Sequence, residues 1–518
     1  MMKFFVKTFC SFMAILTMNA NIQKSYAHPE FSDKQRLEKI QQVFPKIKKI
    51  YQDYAEKNHF PAFAFGIMVD GKLIYSEAEG YVNIEKKIPS DPNSMFRIAS
   101  MTKGFTAMAI LKLRDNGQLK LDDPVSLYIP EIKNQHVTSD SSEITIRDLL
   151  THSAGFPLDN AWGDRQLNMS KKELKILLKK GLSFSNTSGI SYEYSNLGFA
   201  LLGMVIDEVS KMPYQEYIEK NIWQPLNMND VSWEVSKIPS QKLVQGYHWN
   251  KTQWNQEKML SDGAFGAMGG MISSLNSFSH YVALQQDVWP PRNDPETGPV
   301  KRSSIREMQQ AWRFQELNTH YQFLNGHQCT MSSAYGYGLK WLRDCEGRTY
   351  VGHSGGLPGF GSNWFIMPDY GIGVILFANS TYAPAAEVNL QVLNELVKDA
   401  NLQPRVFPPT TLLKDRQAIL VKLLQNWDNP DAITFLADNF FLDSSIAARK
   451  QESISFFEKT GGIIRINEVI PENLLSGHFI IEGKKANLKI NFTLTPQNPA
   501  LIQEVRMELI SKACDHIT

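Results

Sequence analysis

In the first 400 residues of this 518-residue chain strand-like sequence occurs at two places far apart, residues 61–80 and 335–380, and the stretch between them reads mainly as helix and loop. At the first place, PAFAFGIMVDGKLIYSEAEG carries two apolar runs joined by Asp70-Gly71. That dipeptide suits a tight hairpin turn, whose central residues need left-handed torsion angles. At the second place come YGYGLKW, RTYVGHSGG, GSNWFIMPDY and IGVILFANS, apolar runs broken by turn residues. Strands at both ends of a segment bury their apolar faces most directly by pairing into one antiparallel sheet. The expected fold class is therefore α/β, an α+β sandwich. One antiparallel sheet is built from both ends of the domain and flanked by helices, with an all-helical region inserted between. Helical patterns over Asp33–Lys57 and Ala385–Asp399 supply flanking helices, and Leu121 to about Lys258 supplies the insertion.

A chain of this length exceeds one ordinary domain. NLQPRVFPPTT, Asn401 to Thr411, reads as a linker. Three helix-like segments follow, and then GIIRINEVI, SGHFIIEG, ANLKINFTLT and LIQEVRMELI, which alternate like a half-buried antiparallel sheet. In element order this tail resembles a small α+β cone of the NTF2-like kind. The N-terminus has Lys3 and Lys7 before an apolar run, Thr8 to Ala20, and then Ser25-Tyr26-Ala27. This is the pattern of a secretory signal cleaved after Ala27. The run falls short of the roughly 20 residues that span a bilayer, so no stable membrane span is expected once the signal is removed. The divisions are thus 1–27 signal, 31–400 main domain, 401–411 linker and 412–518 accessory domain. A net charge of +1 with interspersed signs gives no footprint for nucleic acid. Cys10 would leave with the signal, Cys329 and Cys345 flank a strand region and are either paired or free, and Cys514 stands alone. No spacing matches a zinc or haem site, so neither metal nor organic cofactor is expected.

One short stretch carries chemistry. FRIASMTKGFTAMAILKLRDNG places Ser100 and Lys103 three residues apart at the head of an apolar helix that Gly117 ends. Residues i and i+3 share a helix face, so hydroxyl and amine can meet. An amine in apolar surroundings is pushed towards its neutral form and becomes able to take the hydroxyl's proton. The plainer alternative is an N-cap serine with a surface lysine.

Two further motifs follow in order, Tyr194-Ser195-Asn196 ahead of a helix and His353-Ser354-Gly355-Gly356 at a strand end. With LLTHSAGFP and GAMGGMISS around them, residues from about Phe31 to Ala400 resemble the serine β-lactamase and penicillin-binding protein superfamily, in its class C and DD-peptidase-like branch. The resemblance implies that Ser100 is the nucleophile of an acyl-enzyme and that Lys103 and Tyr194 share its proton. Either of the two is open as the base. It also implies that Asn196, His353, Ser354 and Gly355 bind substrate, and that the backbone N–H groups of Ser100 and Gly356 form an oxyanion hole. Tyr81-Val82-Asn83 has the same Tyr-x-Asn form but precedes the serine, and reads as a turn. His152 and His280 read as structural. The third motif departs from the lysine-threonine-glycine of true class C β-lactamases. A histidine there, with an ordinary pKa near 6.5, is only partly charged at neutral pH and gives a weaker anchor for a carboxylate.

The expected function is an exported serine hydrolase acting on a small-molecule or peptide substrate. An amide or ester of a D-residue peptide or small ester ranks ahead of a β-lactam. The alternatives are a β-lactamase proper and a non-catalytic binding protein whose accessory domain recruits a partner of unknown kind.

Overall fold

The structure is a computed structural model that describes residues 26–511. Residues 1–25 of the expected leader, Cys10 included, and Cys514 lie outside the described residues. The described residues divide into two compact units, residues 33–403 and residues 404–511 together with residues 26–32.

The larger unit is built on a nine-stranded antiparallel sheet. Its strands are β1 (Ala62–Val69), β2 (Lys72–Asn83), β3 (Ile88–Pro89), β4 (Arg313–Gln322), β5 (Gln328–Tyr335), β6 (Lys340–Arg343), β7 (Thr349–Leu357), β8 (Phe360–Met367) and β9 (Ile372–Ala378), in the order β3-β2-β1-β9-β8-β7-β6-β5-β4. The β1–β2 hairpin turns at Asp70 and Gly71 with φ of 48° and 75°, the left-handed angles that the dipeptide tolerates. β1 then pairs with β9, Phe63 opposite Ala378 through to Val69 opposite Ile372, which closes the two ends of the domain into one sheet. Every residue of β1 is buried because both faces are covered. Phe63, Phe65, Ile67 and Val69 point into one core, while Ala64 and Met68 point into the other. The first core packs against helices α1 (Arg36–Lys57) and α5 (Ala385–Asp399). The second packs against α2 (Thr102–Asp115), α3 (Asn196–Ser210) and α4 (Leu275–Asp287).

Several elements differ from their sequence reading. β4, RFQELNTHYQ, is a strand with no apolar alternation, because it is the sheet's edge and both of its faces meet solvent. Tyr81-Val82-Asn83 is the end of β2 rather than a turn; the chain turns just after it, where Asn83 Oδ1 accepts from the Lys86 amide at 2.7 Å. The segment 289–304 runs as a loop with residues 293–298 exposed until a helix starts at Arg302, whose guanidinium grips both Asp294 oxygens at 2.9 Å. The inserted region also carries short strands, Val231–Ser232 and the Tyr247–Trp249 and Trp254–Gln256 pair. Cys329 in β5 and Cys345 just after β6 are joined as a disulfide.

The smaller unit has helices α6 (Thr411–Gln425) and α7 (Ile446–Thr460), with a short turn of helix between them, followed by an antiparallel sheet. Its strands are β10 (Ile463–Ile466), β11 (Ile470–Pro471), β12 (Ser476–Gly483), β13 (Asn487–Leu494) and β14 (Ile502–Ile510), and both β10 and β11 pair with β12. β12 and β13 alternate buried and half-buried residues, as one-sided sheets do. Their inward residues Phe479, Ile481, Leu488 and Ile490 pack under Leu413, Leu420 and Leu424 of α6. Among the described residues no helix is long and apolar enough to cross a membrane.

Candidate active site

Ser100 lies in a tight 3-10 turn, Ala99–Met101, that feeds directly into α2. The turn is clamped against the sheet, where Ser362 Oγ of β8 donates to the Ile98 carbonyl at 2.9 Å. β7 lies so close that a Cβ on Gly355 would sit 2.2 Å from the Ile98 carbonyl oxygen and 2.3 Å from Ser362 Oγ. Only glycine fits there, and the close approach brings the third motif beside the serine.

Lys103, the second residue of α2 and one turn on from Ser100, is completely buried. Its Nζ lies 2.7 Å from Asn196 Oδ1, 2.9 Å from the Met268 carbonyl and 3.1 Å from Ser100 Oγ. Two of these neighbours are pure acceptors. A neutral amine has two hydrogens and one lone pair. The hydrogens are taken by Asn196 and Met268, and the lone pair is left facing the serine hydroxyl. Burial pushes the Lys103 pKa down from 10.5 to about 7, and the carboxylates of Asp164 and Asp159 oppose the shift. The geometry therefore holds an amine that can accept the Ser100 proton.

The second motif is held by the start of α3. Ser195 caps the helix, and the Asp159 carboxylate accepts the Asn196 amide at 2.6 Å and the Leu197 amide at 2.9 Å, a stabilising charge at a helix N-terminus. His152 Nδ1 accepts the Ser195 amide at 3.1 Å, and its ring packs 4.2 Å from that of Tyr194. His152 thus acts as a buried wedge that sets the tyrosine. Burial drives the Tyr194 phenol well above the ordinary range, opposed by the neighbouring Ser100 hydroxyl.

The third motif requires a correction. His353 Nδ1 lies 2.5 Å from the Ser354 carbonyl, a pure acceptor, so this nitrogen carries the hydrogen. Nε2 then accepts from the Tyr335 hydroxyl at 2.7 Å. Both nitrogens are engaged, and burial with the nearby Lys103 charge lowers the pKa to about 3. His353 is a neutral, positioned side chain and not the partly charged anchor expected from its ordinary pKa. A cation lines the same cavity from the neighbouring strand. Lys340 of β6 stands opposite Gly352 of β7, and burial lowers its pKa against the pull of Glu316.

Ser100, Tyr194, His353, Ser354 and Gly356 line one cavity of about 230 Å³, together with Asp164, Lys340 and Tyr382. Lys103 and Asn196 stand behind Ser100, and Gly355 provides the close approach. All eight residues singled out in the sequence come together. Lys340, Asp164, Tyr335 and Tyr382 escaped the sequence reading, because each lies outside the three motifs in a strand or loop without local signature. The one cluster of close metal-ligand atoms among the described residues is His327 with Cys329 and Cys345, and its two sulfurs are joined to each other.

Comparison with known proteins places this site in context. The profile of the Beta-lactamase family matches residues 47–397. Protein flp of Staphylococcus aureus (strain N315) is 28% identical over 358 residues, 67% of this chain, and the chain spans 66% of that protein's own length. Penicillin-binding protein 4* of Bacillus subtilis (strain 168) is 25% identical over 355 residues, 64% of this chain and 71% of the relative. The octameric penicillin-binding protein homologue from Pyrococcus abyssi shares the fold with a TM-score of 0.58 at 22% identity, covering 90% of this chain and 94% of its own. The penicillin binding protein from Bacillus halodurans does so with a TM-score of 0.53 at 22% identity, over 68% of this chain and 98% of its own. With the family profile spanning most of the chain and the fold shared with penicillin-binding protein structures, this protein belongs to the Beta-lactamase family.

Proposed function

We propose that the chain is an exported serine hydrolase that cleaves an amide or ester through an acyl-enzyme on Ser100. The observation that carries this reading is the buried Lys103 amine, 3.1 Å from Ser100 Oγ with its other two partners being acceptors only. In the first step Ser100 Oγ attacks the substrate carbonyl while its proton passes to Lys103. The carbonyl oxygen becomes an oxyanion between the backbone N–H groups of Ser100 and Gly356. The proton then goes to the leaving amine or alcohol as the bond breaks, with Tyr194 as relay. Water releases the acyl group by the same route in reverse. Lys103 is the base in this scheme, because burial favours neutral amine in the lysine and neutral phenol in the tyrosine.

The substrate is a small peptide with D-residues or a small ester. Lys340 and the Ser354 hydroxyl offer an anion-binding edge on the leaving-group side, a role that neutral His353 does not fill. Export is supported by the Cys329–Cys345 disulfide, a bond suited to an oxidising compartment. The test is a fluorophosphonate probe with mass mapping of the labelled peptide, followed by turnover of D-alanyl peptides, p-nitrophenyl esters and nitrocefin. Label on Ser100 that Ser100→Ala abolishes, with turnover of peptide or ester above nitrocefin, supports the reading. Folded protein without label at Ser100 overturns it in favour of a binding protein, and nitrocefin as the best substrate overturns the substrate assignment.

A further inference from the structure

Behind the catalytic pair runs a chain of hydrogen bonds that the three motifs do not contain. Asn196 offers its amide oxygen to Lys103 at 2.7 Å, and its Nδ2 donates to Asn160 Oδ1 at 3.1 Å and to Asp164 Oδ1 at 3.2 Å. The second oxygen of Asp164 accepts from the Tyr382 hydroxyl at 3.1 Å. Tyr382 comes from the loop after β9, has a left-handed φ of 51° and remains 47% exposed. Its ring packs on the glycine of the proposed oxyanion site, where a Cβ on Gly356 would meet Tyr382 Cδ1 at 2.8 Å. The bonds thus run from the cavity mouth to the nucleophile: Tyr382, Asp164, Asn196, Lys103, Ser100.

An asparagine amide has two orientations. If that of Asn196 were reversed, its NH₂ group would meet the hydrogens of Lys103, and its oxygen would meet the acceptor oxygens of Asn160 and Asp164. Both contacts repel. The carboxylate at 164, together with the Lys103 amine, therefore decides which way Asn196 faces.

We propose that Asp164 is a positioning residue for the Ser100–Lys103 pair: it fixes the Asn196 amide with its oxygen on Lys103, places a negative charge beside the amine, and is itself locked by Tyr382 across the cavity mouth. This rests on the acyl-enzyme reading above. Asp164 is buried and its carboxyl is raised by burial, while Lys103, the Tyr382 hydroxyl and the Asn196 amide favour its ionised form. Other groups also face Lys103. Asp159 supports the ammonium, and Tyr194, His152 and His353 are held neutral by burial. Asp164 and Asp159 are the two carboxylates that hold the lysine proton on.

The experiment is the pH dependence of Ser100 labelling by a fluorophosphonate in the full chain. In Asp164→Asn the lysine loses a neighbouring anion, so it gives up its proton at lower pH. The acid limb moves down by about one pH unit. The plateau falls about tenfold to a hundredfold, because the Asn196 amide is no longer held one way. Asp164→Glu, which restores the charge, returns the limb towards its original place. Tyr382→Phe removes only the hydroxyl that bonds Asp164, and moves the limb the same way by less. A lowered plateau with an unmoved limb in Asp164→Asn overturns the inference and leaves Asp164 a structural residue. An unmoved limb in Tyr382→Phe overturns the lock. Wild-type protein that takes no label at Ser100 overturns the acyl-enzyme reading and this inference together, so the two failures are distinguishable.

Discussion

Replacing Lys103 by methionine removes the amine and keeps the shape of the side chain. Two effects follow. The first is chemical: Ser100 loses its proton acceptor, and general-base assistance is worth about 10²–10⁴ in rate. That corresponds to about 2.7–5.4 kcal/mol of lost transition-state stabilisation. The second is structural: Asn196 Oδ1 and the Met268 carbonyl, 2.7 and 2.9 Å from Nζ, lose a donor inside a buried site. Each orphaned acceptor costs about 1–3 kcal/mol, offset by no longer burying an amine. The assay is the second-order rate of Ser100 labelling across pH 5–9, with circular dichroism to show that the fold persists. In the wild type the amine acts when deprotonated, so labelling is slow below the Lys103 pKa of about 7 and rises through it. In Lys103→Met the rate falls by the factor above and the limb near neutrality disappears. Labelling within threefold of wild type by a folded Lys103→Met protein would refute the assignment of the base.

Further expectations can be measured separately. Lys340→Met lowers kcat/KM for carboxylate-bearing peptides about tenfold relative to their amides, in keeping with the loss of one charge-assisted hydrogen bond; an unchanged ratio counts against the anion-binding edge. His353 and His152 are held neutral in the fold, with pKa values below the ordinary 6.5. The unfolded chain therefore binds more protons below pH 6.5, and stability falls as pH drops through that value by up to about 1.4 kcal/mol per pH unit for each histidine. Urea titrations of wild type and His353→Gln check this, the variant showing the shallower loss. The Cys329–Cys345 bond closes a separation of 16 residues, which gives about 3 kcal/mol in the chain-entropy view. Replacing both cysteines by serine lowers unfolding free energy by that order and leaves Ser100 labelling in place. Gly355→Ala, which forces a Cβ against the Ile98 carbonyl, separates β7 from the serine turn and abolishes labelling.

The sheet was legible because β1, β2, β7, β8 and β9 are apolar runs bounded by turn residues, and the Asp70-Gly71 hairpin declares its own geometry. β4 was not legible because a strand at the edge, with both faces wet, needs no alternation. The catalytic residues were legible to different degrees. Ser100 and Lys103 announce themselves by spacing within an apolar helix, and Tyr194 and Asn196 by their place before one. The state of His353 was hidden, because its charge depends on burial and on two partners, the Ser354 carbonyl and Tyr335, that spacing does not give. Lys340 and Asp164 are ordinary charged residues in sequence. Only the pairing of β6 with β7 and the turn after the short helix Asn160–Gly163 bring them to the cavity.

The account turns on a lysine that is neutral in a folded protein near physiological pH. A ¹³Cε titration of protein labelled at lysine, with the Lys103 signal assigned by its loss in Lys103→Met, reads that proton directly. A midpoint near 7 is the predicted result. A midpoint at the ordinary lysine value of about 10.5 would contradict the account, because the amine would then be an ammonium with no lone pair to offer Ser100.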